Sequence, residues 1–337
     1  MARRRKRKLK RKYRVLRNIY IIVLILAVLI VVGYTAFKIL IRPPKIETAS
    51  EIASAEISES EDAPRIVDEI HQRKEKTYTF LLACPDQESG NADGIMLVTY
   101  DVPNQTVGML SIPRDTLVKA KNPKINAAFH KGIDNLQEVV SDLVGYQIDF
   151  YVSIDLNGFV EIVDAVGGVD FDVPVEMYYN DPAQDLTIRY MPGYQHLDGQ
   201  SAMEVCRFRK NADGTGYPLG DVQRGETARN MMITVAKKVI SLSNLSRIDD
   251  FVDIVEKNID TNLTKRNLAW FAGQGMGVNL TSGISGGSLP GDGNVTYNGT
   301  TYCYQLYPEE SLQMINELVN PYTTPLTMED VNIFQAN

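Results

Sequence analysis

Three short segments of the 337-residue chain carry arginines, two of them with an aspartate close by, where a fold can aim them. In Ser111-Ile112-Pro113-Arg114-Asp115-Thr116 an apolar strand runs into a proline-fixed turn that presents Arg114 next to Asp115. Arg207-Phe208-Arg209 follows the helix-like stretch Asp198–Cys206, and in extended backbone it turns both guanidiniums to one face. Gly220-Asp221-Val222-Gln223-Arg224 opens a long helical pattern, which puts another acid and arginine at or near a helix N-terminus. Each segment alone reads as a solvated turn or a local ion pair. Together they describe a grip on phosphate: guanidinium matches phosphate oxygens in bidentate fashion, and a helix N-terminus adds a favourable dipole.

The elements that must carry these residues are mixed. Thr77–Ala83, Gly94–Tyr100, Thr106–Ile112, Asp149–Ile154 and Gly168–Val173 are short β-rich apolar runs and read as strands. Helical periodicity covers Asn135–Val144, Gly158–Val166 and Glu226–Leu242, with further helices expected at Asp249–Lys257, Leu263–Gly273 and Pro308–Val319. The Gly/Ser/Asn-rich stretch Gly283–Asn298 reads as a surface loop. Interleaved strands and helices predict an α/β domain, residues 76–325, with one mixed or antiparallel central sheet flanked by helices on both faces. Residues 42–75, where Glu and Asp alternate with Ser and Ala, read as an extracellular stalk.

Ahead of that domain lies a membrane signature. Residues 18–41 are almost wholly apolar, and about 20 such residues span a hydrocarbon core of roughly 30 Å. The tail of residues 1–17 carries Arg and Lys with no acid, which holds it in the cytoplasm and sends the rest outward. A cleaved signal peptide is the rival, but its apolar region runs to only about 7–15 residues, and Ile41-Arg42-Pro43-Pro44 offers no cleavage site. The expectation is a single-pass protein of the cell membrane. All 42 acidic residues lie from Glu47 onward, so the formal charge of −7 hides a strongly acidic outer domain. Such a domain is a poor general binder of nucleic acid, and an anionic ligand needs a local cationic pocket. Cys84, Cys206 and Cys303 allow one disulfide at most, with three free thiols the equal alternative.

In order along the chain, Asp86, Asp93, Ser111–Thr116, Lys124-Ile125-Asn126-Ala127-Ala128, Val163-Asp164-Ala165-Val166-Gly167-Gly168-Val169, Leu197-Asp198-Gly199, Arg207-Phe208-Arg209 and Gly220-Asp221 resemble the LytR–CpsA–Psr family of cell-wall phosphotransferases. The resemblance covers residues 76 to about 242, and more loosely the remainder. It implies binding of a polyprenyl-diphosphate-linked glycopolymer, teichoic-acid-like or capsular, with the prenyl tail in an apolar tunnel between sheet and helices. It implies transfer of the phosphoglycan to a peptidoglycan hydroxyl in a Gram-positive envelope, with a pyrophosphatase side activity. Carried over by position, Asp86 and Asp93 hold Mg²⁺, with Mn²⁺ the substitute. Arg114, Arg207, Arg209 and Arg224 clamp the diphosphate, with Arg114 and Asp93 also central to catalysis. Asp221 orients the arginines or assists the incoming hydroxyl, and Asp115 fixes the turn. Phosphoryl transfer asks for positioning and charge neutralisation, which this residue set offers.

The chain departs from the family pattern at several places. Asn91-Ala92-Asp93 stands where Arg-Ser-Asp is usual, and Thr227 and Ala228 stand where a second arginine and a glutamine are expected. These losses keep a second reading open, a catalytically impaired binder of polyprenyl diphosphates that tunes wall assembly or envelope signalling. Gly283-Ile284-Ser285-Gly286-Gly287 fits a hydrolase elbow, but no histidine follows His196 to serve it. The scattered His71, His130 and His196 make no metal site.

Overall fold

The computed structural model describes residues 43–44, 71–85, 90–181, 186–218, 221–240, 257–279 and 282–336. The chain divides into two compact units, one of residues 1–44 with 264–271 and one of residues 45–263 with 272–337. In the first, the described part is Pro43, Pro44 and residues 264–271, the latter mostly helical. The expected membrane span at 18–41, its basic tail and most of the stalk lie outside the described residues. So does most of the helix expected at Asp249–Lys257. Among the described residues no helix is long and apolar enough to cross a membrane.

The second unit is a mixed α/β body. Its strands are β1 (Thr77–Pro85), β2 (Ala92–Asp101), β3 (Thr106–Ser111), β4 (Phe150–Ile154), β5 (Val169–Val173), β6 (Met177–Asp181), β7 (Leu186–Tyr190), β8 (Gly193–Leu197), β9 (Ile259–Thr261), β10 (Ile284–Ser288), β11 (Gly291–Tyr297) and β12 (Thr300–Leu306). The helices are α1 (Ile133–Val144), α2 (Leu156–Ala165), α3 (Gly199–Arg207), α4 (Asp221–Ile240), α5 (Lys265–Gly275, which begins in the first unit) and α6 (Pro308–Leu318), with a 3-10 helix at Ile125–Lys131. Six strands form one sheet in the order β10-β3-β2-β1-β4-β9. Pairs β10–β3 and β1–β4 are parallel and the others antiparallel, so β1, β3, β4 and β10 all run the same way.

Strand alternation decides which face each side chain meets. Leu81, Leu97 and Leu110 lie in register on one face, fully buried against α1 and α6 in a core that includes Leu136, Val140 and Ile315. Burying each such leucine contributes about 1.5–3 kcal/mol. Helix α6 comes so close that a Cβ on Gly108 would sit 1.6 Å from the Leu318 carbonyl oxygen. Helix α4 covers the opposite face: a Cβ on Gly286 would meet Arg229 at 2.7 Å, in the register of Met109. A second core joins α2, α3 and α4 to the β5–β8 ribbon and the β6–β7 hairpin around Val163, Phe171, Ala202 and Phe208.

Two expectations are corrected. Gly283–Asn298 is no loop: it supplies β10, the sheet's edge strand, and β11 of a hairpin. Glycine is poor in strand propensity, but here helices press on both faces, Arg229 above Gly286 and Met314 below Gly287, so a larger residue would have to push these side chains aside. The folded body also starts before residue 76 and ends after 325. Lys74 donates its backbone N–H to Pro321 at 2.9 Å, Arg73 pairs with the buried Asp149 carboxylate, and Val331 is buried against the first core. The ion pair and the bridge to Tyr322 draw the end of the expected stalk into the body.

Candidate functional site

Two of the sequence-predicted residues, Asp93 and Arg114, meet at the carboxyl ends of the co-directional strands, where β1 ends at Pro85, β3 at Ser111 and β10 at Ser288. Ligands of α/β sheets bind at such ends. The β1–β2 register jumps there: Cys84 pairs with Gly94 and Pro85 with Ala92, leaving Asp93 as the extra residue of a bulge. A bulge re-aims its side chain, and Asp93 is 43% exposed. Arg114, just past the end of β3, reaches it and forms an ion pair through Nη1 and Oδ1.

The turn that carries Arg114 is pinned from several sides. Thr116 donates both its N–H (2.9 Å) and its hydroxyl (2.6 Å) to the Pro113 carbonyl. The Arg114 carbonyl accepts from the N–H of Asn126 at 3.1 Å. Asp115 pairs with Lys124 at 3.0 Å, and its carbonyl accepts from Tyr304 N–H at 2.8 Å. The Lys124-Ile125-Asn126 segment therefore serves as the brace of this turn. The backbone is fixed while the guanidinium stays about one-third exposed, which suits a group that must meet a ligand.

Asp198 caps α3 by accepting the Ser201 N–H at 2.8 Å, and the helix ends with Arg207 as its last residue. Phe208 leaves the helix in extended conformation and drops into the second core, edge-on to Tyr217 with ring centroids 5.5 Å apart. This anchor holds Arg207 and Arg209 on either side of it, the first half-buried and the second exposed. Arg224 lies in the first turn of α4. A thread of neighbours runs from Arg224 toward the sheet end. Burial first, then the nearby Cys84 thiol, push the Cys206 thiol up to about 12, while the Arg224 guanidinium pulls it down. Cys84 is the strand partner of Gly94, next to Asp93. Arg224 also bears on the Tyr217 hydroxyl, which burial raises. Asp86, Gly220 and the side chain of Asp221 lie outside the described residues; Asp221 is the first residue of α4.

Other positions have structural work. The Asp164 carboxylate accepts the Gly199 N–H at 2.7 Å and so joins α2 to α3, which pack too closely for a Cβ at Gly199. Thr227, where the resemblance expects arginine, is buried and accepts the Tyr217 hydroxyl hydrogen at 2.9 Å. Arg229 is buried over the middle of β10, with Glu226 as a long ion-pair partner at 3.9 Å, and burial lowers its pKa. His130 is exposed at the end of the 3-10 helix, and His196 pairs with Asp170 at 2.9 Å. All three cysteines are free.

Sequence reasoning did not name the residues of an apolar strip on the central sheet. Phe80 and Leu82 of β1, Val98 of β2 and Val152 of β4 share the sheet face that α4 overlies, are all half-buried, and belong to neither core. Strand alternation alone could have found it, since these residues interleave with Leu81, Ala83 and Leu97 of the packed face.

A divalent cation fits the donor chemistry only in part. Among the described residues no group of three acids, histidines or cysteines could hold a metal. Asp93 nevertheless offers a partly exposed carboxylate, and Mg²⁺ is commonly held by one or two carboxylates plus substrate phosphates.

The family model described as the LytR_cpsA_psr family matches residues 45–320. The polyisoprenyl-teichoic acid–peptidoglycan teichoic acid transferase TagV of Bacillus subtilis (strain 168) is 30% identical over 251 residues, covering 71% of this chain and 62% of the relative. The TagU transferase of Bacillus mycoides (strain KBAB4) is 32% identical over 239 residues, 68% of this chain and 74% of the relative. The chain thus spans less than two thirds of the length of the first of these. The crystal structure of B. subtilis TagV matches with a TM-score of 0.61 at 26% identity, covering 72% of this chain and 95% of that one. A structure of TagT bound to LI-WTA matches with a TM-score of 0.57 at 18% identity, a likeness of fold.

Proposed function

The chain belongs to the LytR_cpsA_psr family, and on that premise we propose that it transfers a phosphoglycan from a polyprenyl diphosphate to a hydroxyl of peptidoglycan. One observation carries the reading: the Asp93–Arg114 pair stands at the end of the sheet whose half-buried apolar strip, Leu82, Val98 and Phe80, belongs to neither core. A ligand with a diphosphate head and a hydrocarbon tail matches that pairing. The TagU and TagV relatives are named as polyisoprenyl-teichoic acid–peptidoglycan teichoic acid transferases, which supports this reading.

The residues divide the work. Arg114, Arg207, Arg209 and Arg224 take the diphosphate oxygens, and the N-terminus of α4 adds its dipole. The acceptor oxygen forms a bond to the phosphorus next to the sugar as the bond to the lipid phosphate breaks, and the arginines hold the charge of the departing polyprenyl phosphate. The role left to Asp221 is to orient these arginines or to take the hydroxyl proton. Asp93, with Asp86, is the place for Mg²⁺ or Mn²⁺, which when bound neutralises phosphate charge. In the free protein Arg114 occupies Asp93, and an exposed pair of this kind is worth about 0–1 kcal/mol, so it yields to a ligand at low cost. Residues 18–41 anchor the chain in the membrane, with the folded body outside and near its lipid-bound substrate. Attack by water in place of the sugar acceptor is the side activity, a pyrophosphatase.

A second reading, binding without turnover, draws on Thr227: its hydroxyl is spent on Tyr217 and supplies no charge where the family has an arginine. The full chain in detergent, given a lipid-diphosphate-linked glycan, Mg²⁺ and peptidoglycan, decides between them. Release of polyprenyl phosphate that collapses in Asp93→Ala is the expected result. Tight lipid binding with no release, and no response to Asp93→Ala, would establish the second reading instead.

A further inference from the structure

Beside the arginines runs a groove to which no role has yet been given. One wall is the outer edge of β5, paired on its other side with β8. The other wall is a polar stripe on α4, Gln223, Glu226, Asn230 and Thr234, whose spacing sets all four on one helix face. The groove holds two adjoining hollows of ≈ 210 and ≈ 380 Å³ that share Phe171, Asp172 and Asn230. The larger is within the range of about 300–1,000 Å³ common for small-ligand sites. Tyr194 stands opposite Asp172 in the ribbon register and is 78% exposed, an unusual position for so large a ring.

We propose that this groove binds the uncharged amino-sugar chain of the acceptor and leads its hydroxyl to the diphosphate. Three features select that ligand. The side-chain amides of Gln223 and Asn230 and the carboxylates of Asp172 and Glu226 provide donors and acceptors for sugar hydroxyls and acetamido groups. The Tyr194 ring offers an apolar plate with a polar tip, suited to the face of a sugar ring. The carboxylates of Asp170, Asp172 and Glu226 repel a phosphate-rich polymer, so the groove belongs to the acceptor and not to the anionic donor glycan. Its inner end is lined by Tyr217 and Gln223, and Arg224 follows directly on α4. The assignment of an acceptor rests on the donor role of Arg224 and its partners.

The test uses the full chain in detergent micelles and two probes titrated separately, chitohexaose for the groove and geranylgeranyl diphosphate for the arginines. Chitohexaose binds the wild-type chain, and Tyr194→Ala and Asn230→Ala each weaken it about five- to tenfold, the scale of one lost contact. A sulfated oligosaccharide of equal length binds more weakly than chitohexaose. Absence of chitohexaose binding, wild-type affinity in both variants, or preference for the sulfated chain overturns the groove assignment. Both substituted residues are exposed, so circular dichroism matching wild type confirms that a weakened variant is folded. Failure of geranylgeranyl diphosphate to bind instead defeats the donor reading, whatever the sugar titration shows.

Discussion

Arg114 reaches across the end of the sheet to Asp93, joining a turn residue to a bulge residue 21 positions earlier. The pair stands where strand register is broken, so neither partner is needed to hold the sheet together. Arg114→Ala should therefore cut transfer by about 10²–10³-fold, the cost of removing one charge-stabilising donor. Stability should fall by less than about 1 kcal/mol. A large drop in melting temperature would reassign Arg114 to a structural role.

Two glycines of the sheet separate backbone from side-chain crowding. A Cβ at Gly108 meets the Leu318 carbonyl at 1.6 Å, while one at Gly286 meets the flexible end of Arg229 at 2.7 Å. Gly108→Ala should destabilise by about 3 kcal/mol or more, and Gly286→Ala by about 1 kcal/mol. Equal melting temperatures for the two variants would contradict the packing of α6 on β3.

Asp164 belongs to the family-like motif yet serves the joint between α2 and α3. Asp164→Ala should cost about 1 kcal/mol through the unpaired Gly199 N–H, and Asp164→Asn, which keeps an acceptor oxygen, should restore most of it. Chemical denaturation of the three proteins measures this. If Asp164→Ala retains full stability but loses transfer, the residue acts at the reaction centre.

Burial disfavours the Cys206 thiolate and pushes the thiol up to about 12. Iodoacetamide at pH 8.5 should label it at least about tenfold more slowly in the native chain than in urea. A folded pKa above the unfolded value means that this contribution to stability is complete below the ordinary thiol range. It is lost as pH rises from that range toward about 12. Rapid labelling of native Cys206, read by peptide mass spectrometry, would show the thiol to be open.

Acid should loosen the fold through caps and turns. The Ser201 N–H and hydroxyl hold the Asp198 carboxyl below its usual value. For Asp330 burial works upward, but hydrogen bonds from Thr327 and the nearby His71 outweigh it. Depressed carboxylates contribute stability above the ordinary carboxylate range and lose it as pH falls through their lowered values. The melting temperature should drop below about pH 4, and less steeply in Asp198→Asn.

The strands around Leu81, Leu97 and Leu110 were legible as short β-rich apolar runs between turn residues, because β2 and β3 are buried along much of their length. Strand β10 was not, because its glycines answer to Arg229 and Met314, which approach from helices on opposite faces of the sheet. The β6–β7 hairpin and β8 escaped for a related reason: Tyr178, Tyr194 and their polar neighbours face solvent, which removes the apolar rhythm. At the site, motif order announced the family. The contact of Asp93 with Arg114 depends on a one-residue bulge, and no spacing rule reveals that. Arg229 does not stand in for the arginine absent at Thr227: two residues along a helix is a turn of about 200°, and the side chain faces β10.

Both margins of the central sheet, β9 and β10, come from residues 259–288, yet they zip onto strands made near the start of the domain. A chain cut short before residue 257 would leave β3 and β4 as bare edges, open to pairing with neighbouring molecules. Such long-range closure slows folding, so the nascent domain depends on its last third to become safe from aggregation. Deletions from the C-terminal side should therefore yield insoluble protein and not smaller working enzymes.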